Sequence, residues 1–231
     1  MLNEDRGTLK TDYQGPTREE SIEVAGQRLR LMRPAEPDRL LDALDVLALN
    51  RSDDYMPYWA YLWPGAYLLA EAVGRGIWPT GLKTLEIGCG LGLTGLVGLQ
   101  RGLHVHFTDY DTAPLAFVEQ SAEANGFDSD RYSTGRFDWR EPEGSSFDLI
   151  LGADVLYERK LVPLVADVLA ARLAPDGIGL VSNPYRVAAE AFPEELARRG
   201  LTAEVEPIEA HTLEFGEIQG LVYRVRRCSE G

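Results

Sequence analysis

The chain has 231 residues, 45% of them hydrophobic, and a formal net charge of −14 at pH 7 from 37 Asp and Glu against 23 Lys and Arg. That is ample apolar material for one sizeable core, whereas the charge argues against broad nucleic-acid binding, which needs cations clustered on one face. The two cysteines, Cys89 and Cys228, are too few for a disulfide framework and lack the C-x-x-C spacing of a zinc site.

The opening stretch is charged and has no apolar segment of the signal-peptide kind, and no later stretch reaches the length of a membrane span. A cytoplasmic chain with neither a nucleic-acid nor a membrane partner is expected. Residues 1–18 are patternless and read as a flexible tail. From Ser21, the alternation of Ile22 and Val24 with Leu29 and Leu31 around Ala25-Gly26 predicts a small β-hairpin, and Leu40, Leu41, Leu44 and Leu47 follow at helical spacing. A loop over 50–55 leads into the aromatic run Pro57-Tyr58-Trp59-Ala60-Tyr61-Leu62-Trp63-Pro64-Gly65, where Pro64 is placed to open a helix through Leu68, Leu69, Ala72 and Val73.

After Gly81 the pattern changes to short apolar strands alternating with amphipathic helices, the mark of βαβ units and a parallel sheet. Strands are expected near 83–87, 103–108, 132–137, 147–153 and 178–182, with helices near 93–100, 112–125 and 161–173. The segment FDLILGA is almost continuously apolar, as befits a central strand covered on both faces. Asp111 can cap the second helix and Asn125-Gly126 can stop it. A broken helix around 188–199 precedes two strands with a short connector, which implies an antiparallel pair. His104 and His106 share one strand face with no third ligand in the pattern, so no metal is expected. Arg224, Arg226 and Arg227 read as a solvated strand face.

The residues Leu85-Glu86-Ile87-Gly88-Cys89-Gly90-Leu91-Gly92 close one strand and open a helix. Alternate glycines at Gly88, Gly90 and Gly92 let the backbone turn tightly and approach a ligand, and a bulky side chain at Gly90 is expected to block that approach. Twenty-one positions after Gly88, Asp109 ends the second strand, where a carboxylate can accept the ribose hydroxyls of an adenosine moiety. Asp138 and Trp139 close the third strand, placed to receive an adenine amino group and to pack on the ring. Glycines at a strand–helix junction can merely pack closely; here acidic residues at the right strand ends accompany them. Gly90, Gly92 and Gly95 also satisfy G-x-G-x-x-G, which makes a nicotinamide dinucleotide the rival ligand. Glu86 decides between them, because a carboxylate there repels a pyrophosphate but can hold the amino-acid end of S-adenosylmethionine.

The motifs E-I-G-C-G-L-G, T-D, D-W and D-V-L-Y, in this order, resemble class I S-adenosylmethionine-dependent methyltransferases over roughly Pro57 to Arg227. More narrowly they are similar to the protein-lysine methyltransferases of the methyltransferase-16 family, whose D-x-x-Y motif after the fourth strand is matched by Asp154-Val155-Leu156-Tyr157. The pre-core run 57–65 is similar to that of one member of the group, which implies that Trp63 lies against the cofactor. The segment Ser182-Asn183-Pro184-Tyr185-Arg186 departs from that relative's aspartate-containing version and reads as a turn. The implied fold is α/β, a Rossmann-like doubly wound seven-stranded sheet with an antiparallel C-terminal hairpin. To it a small N-terminal hairpin and helix extension is added. One domain is expected overall: a tail over 1–18, an extension over 19–80 and a methyltransferase core over 81–231.

Methyl transfer requires alignment of a lone pair with the methyl carbon and exclusion of water rather than strong acid–base machinery. A lysine acceptor must first lose a proton from a group of pKa about 10.4, and a neighbouring carboxylate opposes that loss. Asp154 is therefore assigned to capturing and orienting the lysine, with proton loss to solvent, and Tyr157 to an aromatic wall with a hydroxyl near the amine. A helix cap at Asp154 and a core-edge aromatic at Tyr157 are the plainer roles. The expected partner is a protein carrying a target lysine. A small-molecule N- or O-methyltransferase is the alternative on the same fold, with a non-catalytic cofactor-binding module behind it; an enclosed aromatic pocket would favour the small molecule and an open groove around Asp154 the protein.

Overall fold

The structure, a computed structural model, describes residues 13–42, 46, 50, 56–212 and 214–228. The helical spacing read at Leu44 and Leu47, the loop over 51–55 and the first twelve residues of the expected tail lie outside them.

Strands β1 (Thr17–Val24) and β2 (Gln27–Pro34) pair antiparallel with Ile22 opposite Leu29. Ala25 and Gly26 turn the hairpin with φ of 52° and 68°, positive at both central positions as a tight two-residue turn requires. The chain joins the fold earlier than a tail over 1–18 implies. Tyr13 lies 5.9 Å from the Phe117 ring, its hydroxyl donates to the Pro16 carbonyl, and β1 begins at Thr17. Leu40 and Leu41 sit in a 3-10 turn over Pro37–Asp42.

Helix α1 (Pro64–Arg75) opens on Pro64, whose missing N–H costs nothing in a first turn. There follow β3 (Lys83–Ile87), α2 (Leu93–Gln100), β4 (His104–Asp109), α3 (Ala113–Ala124), β5 (Tyr132–Arg136), β6 (Phe147–Ala153) and α4 (Val162–Arg172). The chain then runs through β7 (Leu173–Asn183), a 3-10 turn, α5 (Phe192–Ala197), β8 (Leu201–Thr212) and β9 (Gly216–Arg227). Seven strands form one sheet in the order β5-β4-β3-β6-β7-β9-β8, with β9 antiparallel to both neighbours. The C-terminal hairpin is thus present, and β6 is the middle strand.

Successive residues of β6 serve opposite faces: Leu149 and Leu151 pack with α1, α2 and α3, whereas Ile150 packs with α4 and α5. All three are fully buried, the reason their run shows no polar alternation. Strand β7 begins earlier than expected, because the pairing jumps from Phe147–Leu173 to Leu149–Ile178. Residues 174–177, including Pro175-Asp176-Gly177, form a bulge inside the strand rather than a turn before it.

Asp111 does not cap α3. Its N–H is taken by the Asp109 carboxylate at 3.0 Å, and the N-cap position falls one residue later at Thr112, without a side-chain cap bond. The far end stops as expected at Asn125 and Gly126. Asn125 has a second task, exchanging hydrogen bonds with the Arg30 backbone, Oδ1 accepting at 2.9 Å and Nδ2 donating at 2.6 Å, while Ser121 accepts the Met32 N–H. These bonds seat β2 on α3. Among the described residues no helix is long and apolar enough to cross a membrane.

Candidate active site

A cleft of about 660 Å³ opens beyond the carboxyl ends of β3, β4 and β6, beside the N-terminus of α1. This is where a parallel α/β sheet leaves room for a ligand, since the helices that cover its faces diverge there. Trp63, Glu86, Gly88, Gly90, Asp109, Asp138, Trp139, Asp154 and Tyr157 all line it. Gly92 does not.

The loop after β3 carries φ of +58° at Gly88, +49° at Gly90 and +74° at Gly92, a backbone conformation that side-chain-bearing residues resist. At Gly90, which lines the cleft, a Cβ would sit in ordinary contact with the Trp59 backbone, 3.5 Å from its carbonyl, with no clash. Gly92 serves packing instead. It is the N-cap of α2, and a Cβ there would lie 2.7 Å from Val118.

Two acids stand in this loop's shadow. Glu86 is buried, and its Oε2 accepts the Gly95 N–H at 3.0 Å; burial pushes the carboxyl up to about 8 against that bond's pull, and the charge of Asp109 adds to the rise. The carboxylate thereby occupies the first turn of α2, the place a dinucleotide's pyrophosphate would need. Asp109 accepts the N–H groups of Gly90 at 2.8 Å and Asp111 at 3.0 Å, and burial pushes it up to about 7 despite those donors.

Asp138 is more engaged than its position in the sequence suggested. Both of its oxygens accept from the Arg140 guanidinium, which holds the carboxyl below the usual range. Any further donor must share it with Arg140. Trp139 closes the loop from the other side, since a Cβ on Gly88 would meet its ring at 2.9 Å.

At the opposite wall, Asp154 ends β6 with φ of +55°, a left-handed geometry that costs a non-glycine residue about 1–3 kcal/mol and persists only where the surroundings enforce it. Here they do. Its N–H donates to the Ser182 Oγ at 3.2 Å, the Ser182 hydroxyl donates to the Gly65 carbonyl at 2.7 Å, and the Gly65 N–H reaches Asp154 Oδ2 at 3.4 Å. A Cβ on Gly65 would fall 2.5 Å from the Asp154 Cβ. The carboxylate itself is gripped by Arg186, Nε to Oδ1 and Nη2 to Oδ2, both at 3.0 Å. Tyr157 stands edge-on to Tyr58 at 5.3 Å, and Tyr58 edge-on to Trp63 at 5.8 Å. These three rings remain 36–39% exposed. Burial and then the Glu158 charge hold the Tyr157 phenol far above its usual range, so it stays a donor.

Arg186, Ser182, Gly65 and Arg140 are the site residues the sequence did not single out. What brings the first two to Asp154 is the pairing of β6 with β7, which sets Ser182 opposite Ala153 and is written in neither segment alone. His104 and His106 lie elsewhere. His106 stacks on Phe147 and shares a 2.8 Å hydrogen bond with Ser133, and the described residues hold no cluster of three metal-binding side chains.

A family model described as lysine methyltransferase matches residues 63–196, more than half of the chain. Protein N-lysine methyltransferase METTL21A of Danio rerio is 30% identical over 155 residues, 63% of this chain and 70% of that protein. The Histidine protein methyltransferase 1 homolog of Dictyostelium discoideum is 35% identical over 112 residues, 45% of this chain and 35% of that protein. Among solved structures, the T. Thermophilus 16S rRNA N2 G1207 methyltransferase, in complex with AdoMet and guanosine, superposes with a TM-score of 0.61 at 18% identity. It covers 91% of this chain and 51% of that one, a likeness of fold.

Proposed function

The chain belongs to the lysine methyltransferase family and is an S-adenosylmethionine-dependent methyltransferase, and on that premise we propose that it methylates a lysine side chain of a protein in the cytoplasm. Residues 19–80 and 81–231 act together as one catalytic domain.

The observation that carries this reading is the single cleft that Glu86, Asp109, Asp154 and Tyr157 share. Its residues fit S-adenosylmethionine. A space of about 660 Å³ suits a nucleoside-sized ligand, Gly90 puts bare backbone on its wall, and the two buried carboxyl groups of Glu86 and Asp109 line it, where a cation or hydroxyl donors would favour their ionised forms. Glu86 would hold the amino-acid end, Asp109 the ribose hydroxyls, and Asp138 and Trp139 the adenine; Gly88 and Gly90 would let the backbone approach, with Gly92 fixing the turn and Trp63 lying along the edge. When bound, the cofactor supplies an electrophilic methyl group on a sulfonium.

The chain's own work is alignment and drying. Asp154 orients the acceptor amine by accepting one of its hydrogens. Tyr58, Trp63 and Tyr157 wall the approach and attract the amine while it is still charged. Tyr157, held protonated, donates or accepts at the rim without acting as a base, and the proton of the ammonium leaves for water. The partial exposure of all three rings supports a side chain reaching in from a protein surface over an enclosed small molecule.

The test is calorimetric titration with S-adenosylhomocysteine and, in parallel, NADH, followed by incubation of a cell lysate with a labelled methyl donor and amino-acid analysis of any labelled protein. Binding of the former alone and label on lysine are expected. Label confined to small molecules, or to residues other than lysine, would overturn the acceptor assignment, and Asp154→Ala should abolish labelling while sparing S-adenosylhomocysteine binding.

A further inference from the structure

A carboxylate beside an acceptor lysine poses a chemical difficulty, because it stabilises the ammonium, and an ammonium has no lone pair to give. Arg186 removes the difficulty. Its fork meets both oxygens of Asp154 at 3.0 Å, with the Gly65 N–H at 3.4 Å on one of them. A carboxylate offers about four lone-pair positions, and these three donors leave one. The next donor therefore meets an oriented acceptor whose charge is already balanced.

The surroundings are built to keep the pair together. Asp154 and Tyr185, the residue before Arg186, both carry positive φ, 55° and 60°. Asn183 Oδ1 accepts the Arg186 N–H at 2.6 Å, and the guanidinium lies 5.8 Å from the Trp63 ring centroid. Strain on both sides of one ion pair indicates that the turn after β7 is held for this contact. Of the other charged groups lining the cleft, Glu158 pairs with Lys160 at 2.9 Å and Asp138 with Arg140, whereas Asp111 is buried beside Asp109; beyond the lining, Asp38 accepts from the Tyr61 hydroxyl. Glu86 and Asp109 accept backbone N–H groups, and the Tyr157 phenol, which stands edge-on to Tyr58, feels the Asp154 charge.

We propose that Arg186 is a positioning residue that neutralises Asp154, so that the carboxylate aims the acceptor amine without retaining its proton. This rests on the acceptor site proposed above. The step it assists is R–NH3+ to R–NH2, the N–H electron pair staying on nitrogen as the lone pair that later attacks, and the proton passing to bulk water.

The experiment uses n-butylamine, a lysine side chain without its backbone, titrated into the full chain saturated with S-adenosylhomocysteine. Calorimetry at about pH 8.5, where such an amine is almost wholly charged in solution, is run in two buffers of different ionisation enthalpy to count protons released per amine bound. The wild type should release about one proton more than Arg186→Gln, which leaves Asp154 to hold the ammonium. Arg186→Lys, which keeps the charge but not the fork, should restore the release even at reduced affinity, and near-ultraviolet circular dichroism checks that both variants are folded. Equal proton release by wild type and Arg186→Gln would overturn the role of Arg186 alone. No binding of the amine by the wild type or either variant would overturn the acceptor assignment and the proposal with it.

Discussion

The Asp109 carboxylate and the Gly90 N–H meet at 2.8 Å, joining the end of β4 to the loop that follows β3. Asp109→Ala deletes the acceptor for two backbone donors as well as the proposed ribose contact. S-adenosylhomocysteine affinity should fall at least tenfold, about 1.4 kcal/mol, with a drop of several degrees in thermal midpoint. Wild-type affinity in this variant, read by calorimetry, would remove Asp109 from the cofactor site.

Gly90→Arg separates folding from binding. A Cβ there would rest in ordinary contact with the Trp59 backbone at 3.5 Å, without a clash, and the φ of +49° adds backbone strain of about 1–2 kcal/mol. The arginine side chain would fill the cleft. A folded protein that no longer binds S-adenosylhomocysteine is expected, and retained binding would show that the ligand does not pass over the loop.

The two buried acids predict how stability varies with pH. Glu86 and Asp109 are pushed up to about 8 and about 7 from ordinary values of 4.5 and 3.8. Between those limits the folded chain keeps protons that the unfolded chain has lost, so their contribution to stability is full below about pH 4 and declines as pH rises to about 8. Glu86→Gln still offers an oxygen to the Gly95 N–H and no longer titrates. Its thermal midpoint should fall less between pH 6 and pH 8.5 than that of the wild type; equal slopes would mean that Glu86 is ionised across the whole range.

Gly65→Ala tests the wall shared by α1 and Asp154. Its Cβ would lie 2.5 Å from the Asp154 Cβ and 2.9 Å from that residue's backbone, so Asp154 must shift. Turnover on the labelled acceptor should fall at least tenfold, since small displacements of an aligning group are costly, while S-adenosylhomocysteine binding stays within about twofold. Loss of both together would mean that the methyl added at α1 disturbs the cofactor half as well.

Much of the fold was legible because burial on both faces leaves a plain record: β3 matches its predicted span, and β6 runs Phe147–Ala153 as expected. The chemistry on one continuous segment was legible too, as with Glu86 through Gly90. What depended on partners was hidden. Arg186 lies 32 positions from Asp154, and only the adjacency of β6 and β7 brings them together. Asp138 looked available, yet Arg140, two residues on, folds back onto it. Asp111 is not the cap because α3 starts one residue later than the pattern implied, with Thr112 at the N-cap position, a boundary that residue type alone does not decide.

The strand order also has a consequence for synthesis. β8 touches the sheet through β9 alone, yet it is translated first. Emerging from the ribosome, it has no strand beside which to settle until its successor arrives and slides between it and β7. A premature stop ahead of Gly216 would therefore remove two strands from the sheet while deleting one, leaving the edge of β7 bare.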